Sequence, residues 1–424
     1  MLNIKTLYNR FHSQIQNLSI YFLAALLPMI LSLVTNPFIA KNMSPPDYAI
    51  TGYYQAFNTL FLPLINFYLL HYYTKRYYEL ESAERLKLKS ILFKALIGFS
   101  LFMSLVAIIV LALYTKIFNA NTSIPFYPYA LISILSLPIT GIYTLNLMDY
   151  RMSRASKKFF TLSITNGSLG VVIALLFVVV FKWGALGRLG ATLLSCCIIF
   201  IYILIKNRSL FSISFDNKIF KNAISFCWPL VIASMLTFFS SGYDKVVLER
   251  TSDIVNLGIY SVGFTIAGYM NIFSTAINDT FQPDIFQHIV QRNYRKSIQI
   301  IGIKISIISI CVLGFIVFAP YIIDILTYGR YINSTKFAII ISLSAVSSML
   351  YYSMSQITIA LGFTSITLWN KVIGSILSII SFNILIKNFG AIGAAWGVVF
   401  SYLYFFLGNV IMVICKYKIT DRRL

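Results

Sequence analysis

Long apolar segments recur along this chain of 424 residues. A helix of about 20 apolar residues has the length needed to cross a hydrocarbon layer of roughly 30 Å. Reading the chain with a window of about 19 residues finds twelve such segments, at 18–39, 49–72, 90–114, 125–148, 159–181, 185–205, 222–247, 256–280, 298–320, 335–360, 366–387 and 391–415. The pattern predicts an all-α, polytopic membrane protein with about 12 transmembrane helices.

The positive charges lie mostly at one end of these segments. With a cytoplasmic amino terminus, the loops and adjoining span ends on the inner side carry 23 Lys and Arg residues, and those on the outer side carry 9. Lys94 and Lys304 fall inside spans. Because Lys and Arg accumulate in cytoplasmic loops, this asymmetry predicts that both termini lie in the cytoplasm.

Composition excludes several classes of function. Of the residues, 58% are apolar and 11% charged, whereas a soluble domain carries roughly 25% charge. The net charge of +21 is dispersed around the spans rather than clustered, so we expect no nucleic-acid partner. The five cysteines lack metal-ligand spacing, and the chain has neither a phosphate-binding Gly-rich loop nor a plausible catalytic constellation. We therefore expect no metal, no cofactor and no enzymatic activity.

Two short motifs occur twice at one offset. The segment from Asp47 through Gly52 to Tyr54 recurs from Asp253 through Gly258 to Tyr260, 206 residues later. The motif Gly184–Gly187 recurs as Gly390–Gly393, again after 206 residues. Six spans per half leave both halves with the same direction in the membrane, a parallel arrangement found in transporters. We expect two parallel six-helix repeats, residues 1–210 and 211–424, around a central cavity.

Polar side chains form stripes on several predicted spans. Gln55, Asn58 and Asn66 share one face of the second span, and Asn271 and Asn278 share one face of the eighth. Polar groups within a membrane need either partners on neighbouring helices or a water-filled cavity. Contact between helices would explain any single residue, whereas stripes in both halves favour a hydrated cavity.

Charged residues near the spans are further candidates, because burying a charge in a bilayer is costly. A surface ion pair is the alternative for Lys245, whose i,i+4 partner is Glu249. Snorkelling toward the headgroups is the alternative for Lys94 and Lys304. Cations that face the cavity would attract a phosphate-bearing substrate. The charged candidates are Asp244, Lys245, Arg250, Lys94 and Lys304.

Several segments resemble signatures of polysaccharide exporters of the multidrug/oligosaccharidyl-lipid/polysaccharide (MOP) superfamily. The matching stretches are Asn36 to Tyr48 with Gly52–Tyr54, Trp228–Leu230, Asp244–Lys245, Gly258–Ser261 and Gly184–Gly187. The resemblance covers the whole chain, and the family's Asp followed by a basic residue in the seventh span falls on Asp244–Lys245.

This resemblance implies a flippase of the Wzx type in a bacterial inner membrane. Such a protein moves undecaprenyl-pyrophosphate-linked O-antigen or capsule repeat units from the cytoplasmic to the outer leaflet by alternating access. The implied partners are a polyprenyl-pyrophosphate-linked oligosaccharide, membrane lipids and other polysaccharide assembly proteins. A cation-coupled multidrug exporter of the same superfamily is the alternative, and a non-transporting scaffold is a third.

Overall fold

The computed structural model describes residues 23, 27–118, 122–361 and 364–421. Throughout these residues the regular structure is helical, with no strand, which confirms the all-α prediction. The beginning of the first predicted span lies outside the described residues. The helices are α1 (residues 27–42), α2 (Pro45–Asn66), α3 (Leu69–Arg76), α4 (Ser82–Phe118), α5 (Tyr129–Met152), α6 (Ser156–Leu175), α7 (Gly184–Lys206), α8 (Asn217–Met235), α9 (Phe238–Ser241), α10 (Tyr243–Thr251), α11 (Ile254–Val290), α12 (Tyr294–Thr327), α13 (Thr335–Ala360) and α14 (Thr364–Asp421).

Within the described ranges, 8 stretches are long and apolar enough to cross a bilayer. They are Ser82–Phe118, Tyr129–Met152, Ser156–Val180, Gly184–Lys206, Asn217–Ser241, Tyr294–Thr327, Ile332–Ile359 and Ile366–Cys415. The last comprises two helical arms, because α14 is interrupted at Gly390 by a non-helical backbone (φ 57°, ψ −136°). The chain is a polytopic membrane protein, and the total of twelve spans stays a prediction.

The first glycine of the repeated motif has a positive φ in both places. Gly184 and Gly390, 206 residues apart, have φ values of 51° and 57°, a left-handed conformation that glycine adopts without strain. The glycine three residues later packs tightly in each case. A Cβ on Gly187 would lie 3.0 Å from the backbone of Phe177, and one on Gly393 would lie 2.0 Å from the carbonyl oxygen of Leu385. The sequence repeat is thus matched by a repeated turn between helices.

The chain forms two compact units. The first comprises Met1–Met43, Phe61–Phe118 and Phe126–Ile232, and the second comprises Ser44–Leu60, Asn119–Pro125 and Ala233–Leu424. The early part of α2 therefore belongs to the second unit. The division at residue 210 expected from the repeat stays a prediction.

Ion pairs and an apolar core hold the first unit together at one end of its helices. Lys89 Nζ lies 2.7 Å from Asp149 Oδ2, and Tyr73 donates to the other oxygen of that carboxylate at 2.5 Å. Lys87 Nζ lies 2.8 Å from Asp216 Oδ2. Tyr73 also belongs to a cluster of buried apolar residues contributed mainly by α3, α4, α5, α6, α7 and α8.

The second unit contains a close approach of α2 to α11. A Cβ on Gly258 would lie 1.9 Å from the carbonyl oxygen of Pro45, and one on Gly52 would lie 2.5 Å from Ser261 Oγ. Gly52 and Gly258 are the two glycines of the other repeated motif. Their lack of a side chain is what allows these helices to meet here.

Candidate substrate-binding site

A buried charged cluster lies where α10 packs near α11 in the second unit. Asp244 is 0% exposed and Lys245 is 3% exposed. Lys245 Nζ lies 3.2 Å from Asp244 Oδ2, and Tyr260 donates to the same oxygen at 2.6 Å. The ammonium also lies 3.3 Å from the ring centroid of Phe264, at cation–π distance. The Asp244 carboxylate is therefore paired with an ammonium and a phenol inside the protein.

A second buried cation joins three helices of the same unit. Lys304 of α12 is 0% exposed and donates to Asn278 Oδ1 of α11 at 2.8 Å and to Gln356 Oε1 of α13 at 3.2 Å. Gln356 Nε2 in turn donates to Asn278 Oδ1 at 3.2 Å. The predicted candidates Lys304 and Asn278 thus meet, and Gln356 is a partner that the sequence stripe did not include.

The sequence reasoning missed a third cation, Lys371 of α14. Its Nζ donates to the carbonyl oxygen of Ala233 at 3.0 Å and to Thr237 Oγ1 at 3.3 Å. One turn later, Ser375 donates to the carbonyl oxygen of Leu236 at 3.2 Å. A lysine close to the end of a predicted span resembles an ordinary flanking charge, which is why it was missed.

These bonds fall where the seventh predicted span is broken. Helix α8 ends at Met235, α9 covers only Phe238–Ser241, and α10 begins at Tyr243 after Gly242. The last carbonyl groups of a helix have no partner within that helix and carry partial negative charge. Lys371 and Ser375 supply donors to two of the carbonyls at this break, so α14 stabilises an interrupted helix.

The polar stripes divide between the two units. Gln55 is exposed and Asn58 is half-buried in the part of α2 that belongs to the second unit. In the first unit, Asn66 is buried and donates to the carbonyl oxygen of Leu137 at 3.2 Å. Asn271 donates to Ser344 Oγ at 3.5 Å. Asn66 therefore joins two helices, the role that a single polar residue commonly has in a membrane protein.

The two remaining charged candidates, Lys94 and Arg250, are not among the residues of these buried clusters. Lys94 belongs to the first unit, where its Nζ donates to the carbonyl oxygens of Phe211, at 3.1 Å, and of Ile213. Those carbonyls lie in and just after the 3₁₀ turn Arg208–Ser212, between α7 and α8. Arg250 is exposed in the last turn of α10. Among the predicted candidates, Asp244 contacts Lys245, and Lys304 contacts Asn278. A substrate role for any of these candidates stays a prediction.

The chemistry of the second unit is therefore that of fixed cations and amides. Each of the three lysines is held in place by oxygens or an aromatic ring before any substrate arrives. Among the described residues, no group of three or more His, Cys, Asp and Glu side chains is placed to hold a metal ion. Ammonium groups with oriented amides suit an anionic, hydroxyl-rich ligand.

A comparison with protein families identifies the chain. Residues 15–288 match the profile of the family described as polysaccharide biosynthesis protein. The chain belongs to this family. A comparison with curated protein sequences finds no match.

Solved structures with a similar architecture include transporters and a flippase. A multidrug resistance MATE family transporter of the MOP superfamily, in its inward-facing conformation, aligns with a TM-score of 0.67 at 13% identity, over 93% of this chain and 99% of its own. The lipid II flippase MurJ, in an inward closed conformation, aligns with a TM-score of 0.67 at 17% identity, over 94% and 87%. A MATE transporter from Vibrio cholerae aligns with a TM-score of 0.58 at 15% identity, over 95% and 97%. This polysaccharide biosynthesis protein therefore has the fold of MOP-superfamily transporters.

Proposed function

We propose that this protein is a flippase for lipid-linked oligosaccharides. Its substrate would be an undecaprenyl-pyrophosphate-linked O-antigen or capsule repeat unit, moved from the cytoplasmic to the outer leaflet by alternating access of two six-helix halves. The protein would lie in a bacterial inner membrane with both termini in the cytoplasm. Other polysaccharide assembly proteins would supply and remove the substrate.

The observation that carries this proposal is the match to a polysaccharide biosynthesis family in a chain with a transporter fold. The side chains agree with it. Lys245, Lys304 and Lys371 place three ammonium groups among the helices of the second unit. A pyrophosphate-linked sugar needs a cationic, hydrogen-bonding path, while its polyprenyl tail can stay in lipid.

The same clusters disfavour the cation-coupled multidrug exporter. Coupling to Na⁺ or H⁺ would call for an acidic side chain with open coordination sites. Asp244 is fully buried and already accepts from Lys245 and Tyr260. An inorganic cation at this carboxylate would have to compete with the ammonium of Lys245.

Alternating access also assigns a role to the contact between α2 and α11. The early part of α2 packs on α11 through Gly52 and Gly258 in the second unit. The remainder of α2 belongs to the first unit. Helix α2 belongs to the predicted half 1–210 and α11 to the predicted half 211–424, so rocking of these two halves would separate the helices at this glycine contact, which would act as a gate.

The test is the location of lipid-linked saccharides in cells deleted for this gene. Sealed membrane vesicles of known orientation are treated with a glycosidase, and protected and cleaved polyprenol-linked saccharides are compared. A flippase predicts that complete repeat units accumulate on the cytoplasmic face. An unchanged saccharide pool, with increased sensitivity to cationic drugs, would instead support the exporter.

Variants then test the cations. Lys245→Met, Lys304→Met and Lys371→Met are expressed in the deleted cells, with Lys387→Met as the matched control, because Lys387 is exposed. We expect at least one of the first three to restore the protein to the membrane without restoring export, and the control to restore both. Full export by all three would contradict a substrate role for these lysines.

A further inference from the structure

A groove in the first unit combines a cationic end with apolar walls. It has a volume of about 520 Å³ and lies between α6 and α7, with Tyr150 of α5 at one end. Three lysines line it, Lys157 and Lys158 at the start of α6 and Lys206 at the end of α7. The charge asymmetry of the loops predicts that this end faces the cytoplasm.

The three ammonium groups are available to a ligand. The side chains of Lys157, Lys158 and Lys206 are exposed, and no carboxylate among the described residues forms a salt bridge with them. The adjacent acid in sequence, Asp149, is paired with Lys89 and Tyr73. Positive charges in the first turn of α6 also oppose its helix dipole, so helix stability does not account for them.

Two tyrosines complete the polar end. Lys206 Nζ lies 5.3 Å from the ring centroid of Tyr150 and 5.4 Å from that of Tyr202. It donates to the Tyr202 hydroxyl at 3.2 Å. Because the oxygen of Tyr202 accepts this bond, its own hydrogen is available to a phosphate oxygen.

The remainder of the groove is suited to an acyl chain. Leu162, Leu169 and Ile199 form walls that are buried or half-buried, while Ile198 is 40% exposed. From Lys158 to Leu169 the rise along the helix is about 16 Å, which matches roughly half the thickness of the hydrocarbon layer. A free anion would use only the polar end, whereas a lipid of one leaflet would fill the whole groove.

The lysines of this groove are not repeated in the second half of the chain. At the repeat offset of 206 residues, the positions corresponding to Lys157, Lys158 and Lys206 hold Phe363, Thr364 and Met412. The three cations therefore do not follow from the duplicated architecture.

We propose that this groove binds one anionic glycerophospholipid of the surrounding membrane, with its phosphodiester on the three lysines and one acyl chain along the walls. Basic pockets between transmembrane helices on the cytoplasmic side suit such headgroups. The proposal does not depend on the flippase assignment, because it concerns a lipid of the bilayer rather than the transported substrate.

The experiment measures lipid bound to the purified full-length protein by native mass spectrometry. Detergent-solubilised protein is titrated with phosphatidylglycerol, phosphatidylcholine, inorganic pyrophosphate and undecaprenyl pyrophosphate, separately. The wild type should retain one phosphatidylglycerol that phosphatidylcholine does not replace. With about 1 kcal/mol per lysine near an anionic headgroup, the combined change Lys157→Gln, Lys158→Gln and Lys206→Gln should weaken binding about 100-fold.

A triple variant with the same loss of charge serves as the control. The control removes three exposed cations that do not line the groove, by the changes Arg208→Gln, Lys218→Gln and Lys221→Gln. Its affinity for phosphatidylglycerol should differ from that of the wild type by less than about threefold. The single change Lys206→Gln keeps the test valid if the triple groove variant fails to fold.

Three results would overturn the proposal. Equal weakening by the two triple variants would show attraction to net charge alone. Preference for undecaprenyl pyrophosphate over phosphatidylglycerol would show that the groove belongs to the transported substrate. Retention of inorganic pyrophosphate with no retained lipid would show a simple anion site.

Discussion

Replacing Gly258 by Ala tests the glycine contact between α2 and α11. The new Cβ would lie 1.9 Å from the carbonyl oxygen of Pro45 and 2.5 Å from its carbonyl carbon. Ordinary contact requires about 3.4 Å or more, so the two helices must move apart by more than 1 Å. The atoms contacted belong to the backbone of Pro45, at the start of α2, so no side-chain rotation can relieve the overlap. The next residue, Pro46, has a fixed φ, which further restricts movement of this backbone.

The cost of this substitution can be worked out against a control on the same helix. Overpacking of a well-packed contact costs about 1–3 kcal/mol. A Cβ on Gly268, also in α11, would meet nothing within 4 Å. Gly268→Ala should therefore gain the roughly 0.5–1 kcal/mol that separates Ala from Gly in a helix. The two substitutions are identical in chemistry and should have opposite effects on the free energy of unfolding.

The assay is thermal stability of the purified protein in detergent, read as the monodisperse fraction after heating for a fixed time. The heating schedule is kept constant because membrane proteins often unfold irreversibly. At about 2–4 °C per kcal/mol for a unit of this size, Gly258→Ala should lower the apparent Tm by roughly 2–12 °C, and Gly268→Ala should raise it by about 1–4 °C. Gly52→Ala should fall between them, because rotation of Ser261 can move its Oγ away from the new Cβ, while the Ser261 Cβ, at 2.9 Å, leaves a milder overlap than that at Gly258.

Equal stability of Gly258→Ala and Gly268→Ala would refute this prediction. That outcome would mean that α2 and α11 do not make this contact in the purified protein. A loss of stability in both variants would mean that alanine is unfavourable at these positions for a reason other than the contact.

Three further predictions concern charged groups. Lys371→Met should leave the Ala233 carbonyl and the Thr237 hydroxyl at the break of the seventh span without this donor, and limited proteolysis of purified protein should cleave near residue 237 faster than in the wild type; unchanged cleavage would show that Lys371 does not stabilise the break. Tyr260→Phe removes a hydrogen bond to buried Asp244 and should cost about 1.5–3 kcal/mol of stability, seen as a lower Tm, and an unchanged Tm would mean that Lys245 alone satisfies the carboxylate. Hydrogen bonding from Lys87 and from backbone amides lowers the pKa of Asp216, so its contribution to stability is present above the ordinary value near 3.9 and is lost as pH falls through the lowered pKa. The Tm of Asp216→Asn should accordingly be below that of the wild type at pH 7, and the difference should shrink below about pH 4; a difference independent of pH would rule out the ion pair as its cause.

The helical, membrane-spanning architecture could be predicted from the sequence because it follows from local chemistry. A backbone in hydrocarbon must satisfy its own hydrogen bonds, so a long apolar segment becomes a helix whatever its neighbours are. The same holds for Gly184 and Gly390, where a repeated motif forms a repeated left-handed turn. The match to a polysaccharide biosynthesis family agrees with the resemblance that these motifs carry.

The break in the seventh span could not be predicted in this way. Pro229 suggests an interruption, yet α8 continues through it to Met235. The chain leaves the helix at Leu236 and Thr237, which are neither glycine nor proline. The donors that stabilise the break belong to α14, more than 130 residues later in the chain. The residues around the break do not indicate which distant side chains will donate to it, because that depends on how the helices pack.

What the sequence by itself determined is which segments are apolar helices, how they repeat and which polar residues share a face. Only the tertiary structure decided what each polar residue contacts. Lys304 is a lone charge in its span, and its amide partners come from positions 26 and 52 residues away. Asn66 lies on the same stripe as Gln55, yet it bonds to α5 within the first unit. Helical periodicity specifies the direction of a side chain relative to its own axis, whereas the partner depends on which helices pack together.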